Sequence, residues 1–250
     1  VSTDHSIARD LATSAGELLL ALRTTGLEGT ALKDAGDAQA HVHLMAELAR
    51  LRPEDGVLSE EEAADPEVQA ARLAMSRVWI VDPLDGTREY GEVTREDWAV
   101  HVALCIDGVA TIGAVALPAR GMTLSTGFPL PEIKPLIGPP KLAVSRTRPP
   151  LHAQVVADAL NGVLVPMGSA GAKAMAVVLG EVDIYAHSGG QYEWDSAAPV
   201  AVAAAAGLHV SRLDGSPLVY NRDNPYMPDL LICRPEFATT TIDICAGVNS

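Results

Sequence analysis

Ile7, Leu11, Ala15, Leu18, Leu19 and Leu22 recur at the spacing of one helical stripe, which predicts an amphipathic helix over residues 4–24 with Asp4 near its N-cap. Leu44, Leu48 and Leu51 predict a second helix over about 37–51. Pro53 and Gly56 break the chain before a short strand at 56–59, and the acidic run that follows, 60–65, ends at Pro66. A polar, helix-prone connection leads to Arg77-Val78-Trp79-Ile80-Val81, the clearest single strand. Between Trp98 and Leu117, two apolar runs flank Asp107-Gly108, the signature of a β-hairpin, and a third strand near 122–126 extends it into a meander.

Pro129, Pro131, Pro135, Pro139 and Pro140 then follow in close succession, a density that neither a helix nor a central strand tolerates. This places a boundary that divides the chain into 1–138 and 139–250. Beyond it, strands at 141–145, 163–166, 182–186 and 229–233 alternate with helices at about 151–160, 170–179 and 195–206. The expected fold class is therefore an antiparallel α+β half followed by an α/β half. A ligand belongs in the crease between them.

Composition adds constraints. Aromatic residues make up 4% of the 250, so the core must be built from Ala, Val, Leu and Ile. Against 32 acidic residues stand 18 Lys and Arg, a formal charge of -14. Such a surface disfavours nucleic acid polymers and anionic membranes as partners, while leaving carboxylates available as metal ligands. Cys105, Cys233 and Cys245 are odd in number and widely spaced, which fits a reducing compartment. The first residues lack a signal-peptide pattern, and the longest uncharged run, 196–211, is too short and weakly apolar to span a bilayer. The expectation is a soluble, cytoplasmic protein.

The sharpest chemical signal is Asp82-Pro83-Leu84-Asp85-Gly86-Thr87 at the end of an apolar strand. A hairpin turn at Asp85-Gly86 is the bland reading, but no apolar alternation returns after it. Two aspartates crowded at a sheet edge need a cation, and no Lys or Arg lies within the motif; Mg²⁺, a hard ion, suits their oxygens. Pro83 would let the Leu84 carbonyl turn toward the same ion, and the amides around Gly86 and Thr87 would cradle a phosphate. A string of this kind arises by chance about once in several million windows.

This string, with Trp79-Ile80-Val81 before it, resembles the first signature of the inositol-monophosphatase superfamily. Leu58-Ser59-Glu60-Glu61 is similar to that family's upstream Glu-Glu element, and Glu193-Trp194-Asp195-Ser196-Ala197-Ala198 to its downstream W-D-x-A-A element. Residues Lys33 through Asp37 resemble the segment whose Asp helps position a nucleophilic water. The resemblance implies a layered α-β-α-β-α sandwich of the sugar-phosphatase type and lithium-sensitive, Mg²⁺-dependent hydrolysis of a small phosphorylated substrate. It implies Glu60, Asp82, Asp85, Asp195 and the Leu84 carbonyl as ligands for two or three Mg²⁺. Thr87, Asp37 and Glu60 form the implied catalytic set, and a homodimer is compatible with it.

Arg88-Glu89-Tyr90 is similar to the Lys/Arg-Glu-Phe of the branch that dephosphorylates 3′-phosphoadenosine 5′-phosphate, a by-product of sulfate assimilation. Gly168-Ser169-Ala170-Gly171-Ala172-Lys173 resembles that branch's G-S-x-x-K element with one extra residue. The implied substrate contacts are Gly86, Thr87, Arg88, Ser169 and Lys173. Each has a structural alternative. Ser169 either caps a helix or contacts substrate, Lys173 is either a phosphate partner or an exposed helix lysine, and Arg88 binds phosphate or pairs with Glu89 or Glu92. Asp195 alone reads as an N-cap, and His101 as a site residue or a satisfied sheet histidine. The expected reaction removes the 3′-phosphate from the nucleotide or its sulfated relative. Inositol-1-phosphatase or fructose-1,6-bisphosphatase activity is the alternative, and a non-catalytic metal or nucleotide sensor is the reading from another class.

Overall fold

The computed structural model describes residues 3–62 and 66–248. In chain order the elements are α1 (Asp4–Leu22), α2 (Gly29–Leu51), β1 (Gly56–Ser59), α3 (Pro66–Leu73), β2 (Arg77–Asp85), α4 (Thr87–Tyr90), β3 (Ala99–Ile106), β4 (Val109–Leu117) and β5 (Met122–Ser125). Then come β6 (Lys141–Ser145), α5 (Leu151–Leu160), β7 (Val163–Met167), α6 (Ala170–Val178), β8 (Ile184–Tyr192), α7 (Glu193–Ala205), β9 (His209–Ser211), β10 (Tyr226–Cys233) and α8 (Ala238–Val248).

Two five-stranded sheets result, ordered β1-β2-β3-β4-β5 and β7-β6-β8-β10-β9, with the proline-rich segment between them. α1 and α2 cover the outer face of the first sheet; α6 and α7 lie between the sheets; α5 and α8 cover the second. This is the expected five-layer α-β-α-β-α arrangement. The core around the sandwiched layer joins Val78 and Ile80 of the first sheet, Met175 of α6, Val202 of α7, and Leu230 and Ile232 of the second sheet.

Alternation on β2 decides where the chemistry goes. Trp79 and Val81 pack toward α1 and α2, whereas Val78 and Ile80 face the sandwiched helices. Asp82 continues the parity of Ile80 and so emerges on the inner face. The same parity on β3 turns Val100, Val102 and Leu104 outward and leaves His101 beside Ala99 and Ala103 on the inner side. Asp82 and His101 are direct cross-strand partners, and the register shifts between Asp82 and Asp85. At the β3–β4 turn both Asp107 and Gly108 take positive φ, 49° and 80°, as a two-residue hairpin with right-handed strand twist requires.

Some boundaries depart from expectation. Thr3, not Asp4, caps α1 by accepting from the Ser6 amide; Asp4 in the first turn pairs with Arg52 and Arg77. α2 begins eight residues earlier than the apolar pattern indicated, through Gly36. That glycine is retained because a Cβ there would stand 2.8 Å from the Tyr90 ring and 3.0 Å from Leu84. β8 runs on through Gly189 and Gly190, whose positive φ values accompany a register shift opposite Met227 and Asp229. Part of the acidic run, 63–65, lies outside the described residues.

Candidate metal and phosphate site

Ligand atoms of Asp82, Asp85 and Asp195 all lie within 4.8 Å of one another. They arrive from the end of β2 and the first turn of α7. Asp195 is the third residue of α7 rather than its N-cap, and its Oδ2 accepts from the Tyr192 amide at 2.7 Å. Trp194 beside it is buried and stacks on Tyr192, centroids 4.8 Å apart. Glu60 follows β1, which pairs in parallel with β2; its carboxyl is near enough to feel the charges of Asp195 and Asp85 but is not one of the three within 4.8 Å.

Gathering these acids shifts their protonation. Burial, then repulsion from Glu60, Asp85 and Asp195, holds the Asp82 carboxyl well above the usual range. Burial and Asp85 push Asp195 up to about 7. Glu60 is also pushed up to about 7, by burial in the crease and by Asp195; because its tip stays open to solvent, neighbouring charge is the firmer cause. Asp85 behaves oppositely. Burial raises it, but His101, Ser169 and Lys173 outweigh burial and hold it down at about 2.

Asp85 sits against the start of α6. Its Oδ1 accepts from the Ala170 amide at 3.0 Å, and its Oδ2 from the Ser169 hydroxyl and the Gly171 amide at 2.6 Å. Ser169 thus does two jobs, since its Oγ also caps α6 by accepting from the Ala172 amide. His101 is fully buried, with Nδ1 3.0 Å from the Trp194 carbonyl oxygen and Nε2 3.2 Å from Asp85. It faces the site and is half-satisfied: Nδ1 has the Trp194 carbonyl, whereas Nε2 lies beside Asp85 without a hydrogen bond in good geometry. Lys173 is buried, and its ammonium donates to the Gly168 and Ser169 carbonyls above the Tyr185 ring. Burial lowers its pKa, with Asp85 and Glu89 offsetting part of the loss.

Gly86 adopts the left-handed conformation, φ 86°, which starts α4 immediately after Asp85. The Thr87 hydroxyl lies 3.1 Å from the Leu84 carbonyl and 3.3 Å from Asp37 Oδ1, and its one proton is shared between these two acceptors. Burial, then Glu61, pushes Asp37 up to about 6. Arg88 is exposed and donates to Thr147 at 3.1 Å; Glu89 and Glu92 pair with Arg146 instead. Asn221 and Arg222, whose amides both donate to buried Glu193, occupy a loop. Burial pushes the Cys105 thiol up, leaving it inert.

Three supports carried no sequence signal. The Arg23 guanidinium donates to the carbonyls of Glu89, Tyr90, Glu92, Val93 and Arg95, with its face over Trp98, and so holds the turn after α4. Asp97, paired with Arg95, accepts from the Gly168 amide and fixes the approach to Ser169. Arg146 was visible only as one basic residue among several. A cavity of about 540 Å³ lies nearby, lined by Thr94, Arg95, Asp97, Arg120 and Met167. It holds none of the four carboxylates, so the acids and not the open volume locate the chemistry.

The donor set fits a hard divalent cation. All candidate ligands are oxygens, and each carboxylate keeps acceptor capacity: one Asp82 oxygen accepts from the Leu84 amide, one Asp195 oxygen from Tyr192, and Asp85 Oδ1 accepts a single amide. Layered sheets with a carboxylate cluster at the end of a central strand define a protein of the metal-dependent sugar-phosphatase class. The chain belongs to the inositol monophosphatase family, whose model matches residues 3–128 and 134–248. It is 49% identical to a 3′-phosphoadenosine 5′-phosphate phosphatase of Mycobacterium leprae, across 98% of this chain and 94% of that one. A protein of the same name from Mycobacterium bovis is 50% identical across 90% of this chain and 86% of its own length. Among solved structures, CysQ from Bacteroides thetaiotaomicron superposes with a TM-score of 0.76 at 24% identity, covering 92% of this chain and 97% of that one. No described helix is long and apolar enough to cross a membrane.

Proposed function

We propose that the protein is a phosphomonoesterase that removes the 3′-phosphate from 3′-phosphoadenosine 5′-phosphate and its sulfated relative, and that the divalent ion is Mg²⁺. The observation that carries this reading is the meeting of Asp82, Asp85 and Asp195 beside the Thr87–Asp37 hydrogen bond, in a chain half identical to relatives bearing that activity's name. Glu60, Asp82, Asp85, Asp195 and the Leu84 carbonyl would hold two or three ions. When bound, the cations supply charge neutralisation at the phosphate and make a nearby water more acidic.

The rest falls to the chain's own groups. Asp37, at about 6, is poised to receive a proton near neutrality, through Thr87. Thr87 anchors to the Leu84 carbonyl, so the group that orients the water is braced on the metal-binding strand. Gly86 lets the backbone approach the phosphate closely. Ser169 and Lys173 serve by fixing Asp85 and the Gly168–Ser169 backbone. The Thr87–Asp37 pair favours an enzyme over a passive sensor, which has no need to activate water. The wide, odd spacing of the cysteines supports a reducing, cytoplasmic setting.

Phosphate release should be compared on 3′-phosphoadenosine 5′-phosphate, inositol 1-phosphate and fructose 1,6-bisphosphate, each with Mg²⁺. The nucleotide should be turned over fastest. Faster turnover of either sugar phosphate would overturn the substrate assignment.

A further inference from the structure

Unlike most arginines of this acidic chain, Arg88 and Arg148 have no acidic partner among the described residues; Arg9 and Arg23 share this, but Arg9 lies over the Phe128 ring and Arg23 is taken up by backbone carbonyls. Arg88 and Arg148 are both exposed, and among the described residues neither has a carboxylate within 4.0 Å. The surroundings explain how Arg88 stays free. Its natural partners, Glu89 next to it and Glu92 one turn on, are both engaged by Arg146, at 2.6 Å and 2.5 Å. Glu89 is also buried against Gly168, where a Cβ would come within 2.2 Å of it. Arg146 therefore ties down the two acids that would otherwise quench Arg88.

The two arginines also sit on segments that touch. Arg88 follows Thr87 directly, and its Nη1 reaches Thr147 on the loop after β6. Arg148 is the next residue on that loop, braced by its amide on Ser145 Oγ at 3.3 Å. It lies close enough to His187 on β8 to help disfavour that imidazolium, behind burial and Lys173. The pair thus joins a segment that follows β2 of one sheet to one that follows β6 of the other, and Arg88 is one residue removed from the proposed water-activating Thr87.

We propose that Arg88 and Arg148 form a subsite for the second anionic group of a bisphosphorylated nucleotide, leaving the scissile phosphate to the carboxylate-bound ions and the Gly86–Thr87 backbone. The ligand chemistry is a 5′-phosphate or 5′-phosphosulfate, and the inference rests on the nucleotide reading above. Guanidinium groups suit such groups because their forked donors match phosphate oxygens. The net charge of -14 makes the local arrangement decisive, since elsewhere the surface repels a dianion.

The test is a selectivity ratio: kcat/KM on 3′-phosphoadenosine 5′-phosphate divided by kcat/KM on adenosine 3′-monophosphate, which lacks the second group. Being a ratio, it is blind to any fraction of a variant that fails to fold. Arg88→Gln should lower it about tenfold or more, the scale of one charge-assisted contact, and Arg148→Gln should lower it too. Arg88→Lys should recover part of the loss by restoring charge without the fork. A ratio unmoved by both glutamine variants, or a wild type with no preference for the bisphosphate, would overturn the subsite alone. A wild type that releases phosphate from inositol 1-phosphate but none from the bisphosphate would instead overturn the underlying substrate reading.

Discussion

Thr87 and Asp37 are fifty positions apart in the chain, yet a single hydroxyl joins them. Replacing Thr87 removes that link together with the hydroxyl's contact to the Leu84 carbonyl. Thr87→Val keeps the shape and removes the donor; kcat should fall about 100-fold, as expected for loss of proton management in the transition state. Thr87→Ser should retain most of the rate. Steady-state kinetics on both variants checks this, and a valine variant of near wild-type kcat would remove Thr87 from the mechanism. At this scale, what was readable in the sequence was what is local. Asp82 through Thr87 form one uninterrupted string, so their chemistry could be argued from six neighbours. Arg23, Asp97 and Arg146 were not readable, because their partners are backbone carbonyls, a distant amide and acids 54 and 57 residues away. No residue-type pattern encodes a hydrogen bond to a carbonyl.

The elements place these residues by parity and by close approach. β2 and β3 set Asp82 and His101 on the inner face simply by alternating, which the apolar pattern made legible. The start of α6 was legible as a helix, but its packing was not. Gly171 passes so close to His101 that a Cβ would lie 2.0 Å from Nε2, while its amide donates to Asp85. Gly171→Ala should therefore push the imidazole off Asp85, costing about 1–3 kcal/mol of stability and lowering activity together. Thermal melts and phosphate release on the same preparation check it; an unchanged melt would mean the contact yields freely. Gly36 in α2 and Gly189-Gly190 in β8 lie where the elements run past the bounds expected from the apolar pattern. Glycine signals a break locally, whereas here it is kept for a neighbour's approach or for a bulge.

For the whole molecule, the layered fold brings toward one crease four acids that come from three separate stretches of chain. Without a cation the cluster must keep protons. Glu60 and Asp195 hold theirs up to about 7, while in the unfolded chain these groups release them near 4.5 and 3.8. The cation-free fold thus loses stability from these groups as pH rises from about 4 through 7. Asp85, held at about 2, contributes change only at lower pH and does not enter that window. A bound cation takes the place of the protons, so its stabilising effect should grow as pH rises. Overall charge made metal ligation plausible from the sequence, but only the folded distances make it quantitative.

The most direct measurement is therefore the melting temperature with and without Mg²⁺ at pH 6 and pH 8, for the wild type and for Asp82→Asn. At about a hundredfold excess over Kd, Mg²⁺ should raise the wild-type midpoint by about 5–10 °C. The gain should be larger at pH 8 than at pH 6, and most of it should vanish in Asp82→Asn. A wild type indifferent to Mg²⁺, or an equal gain in the variant, would contradict a cation held by these carboxylates.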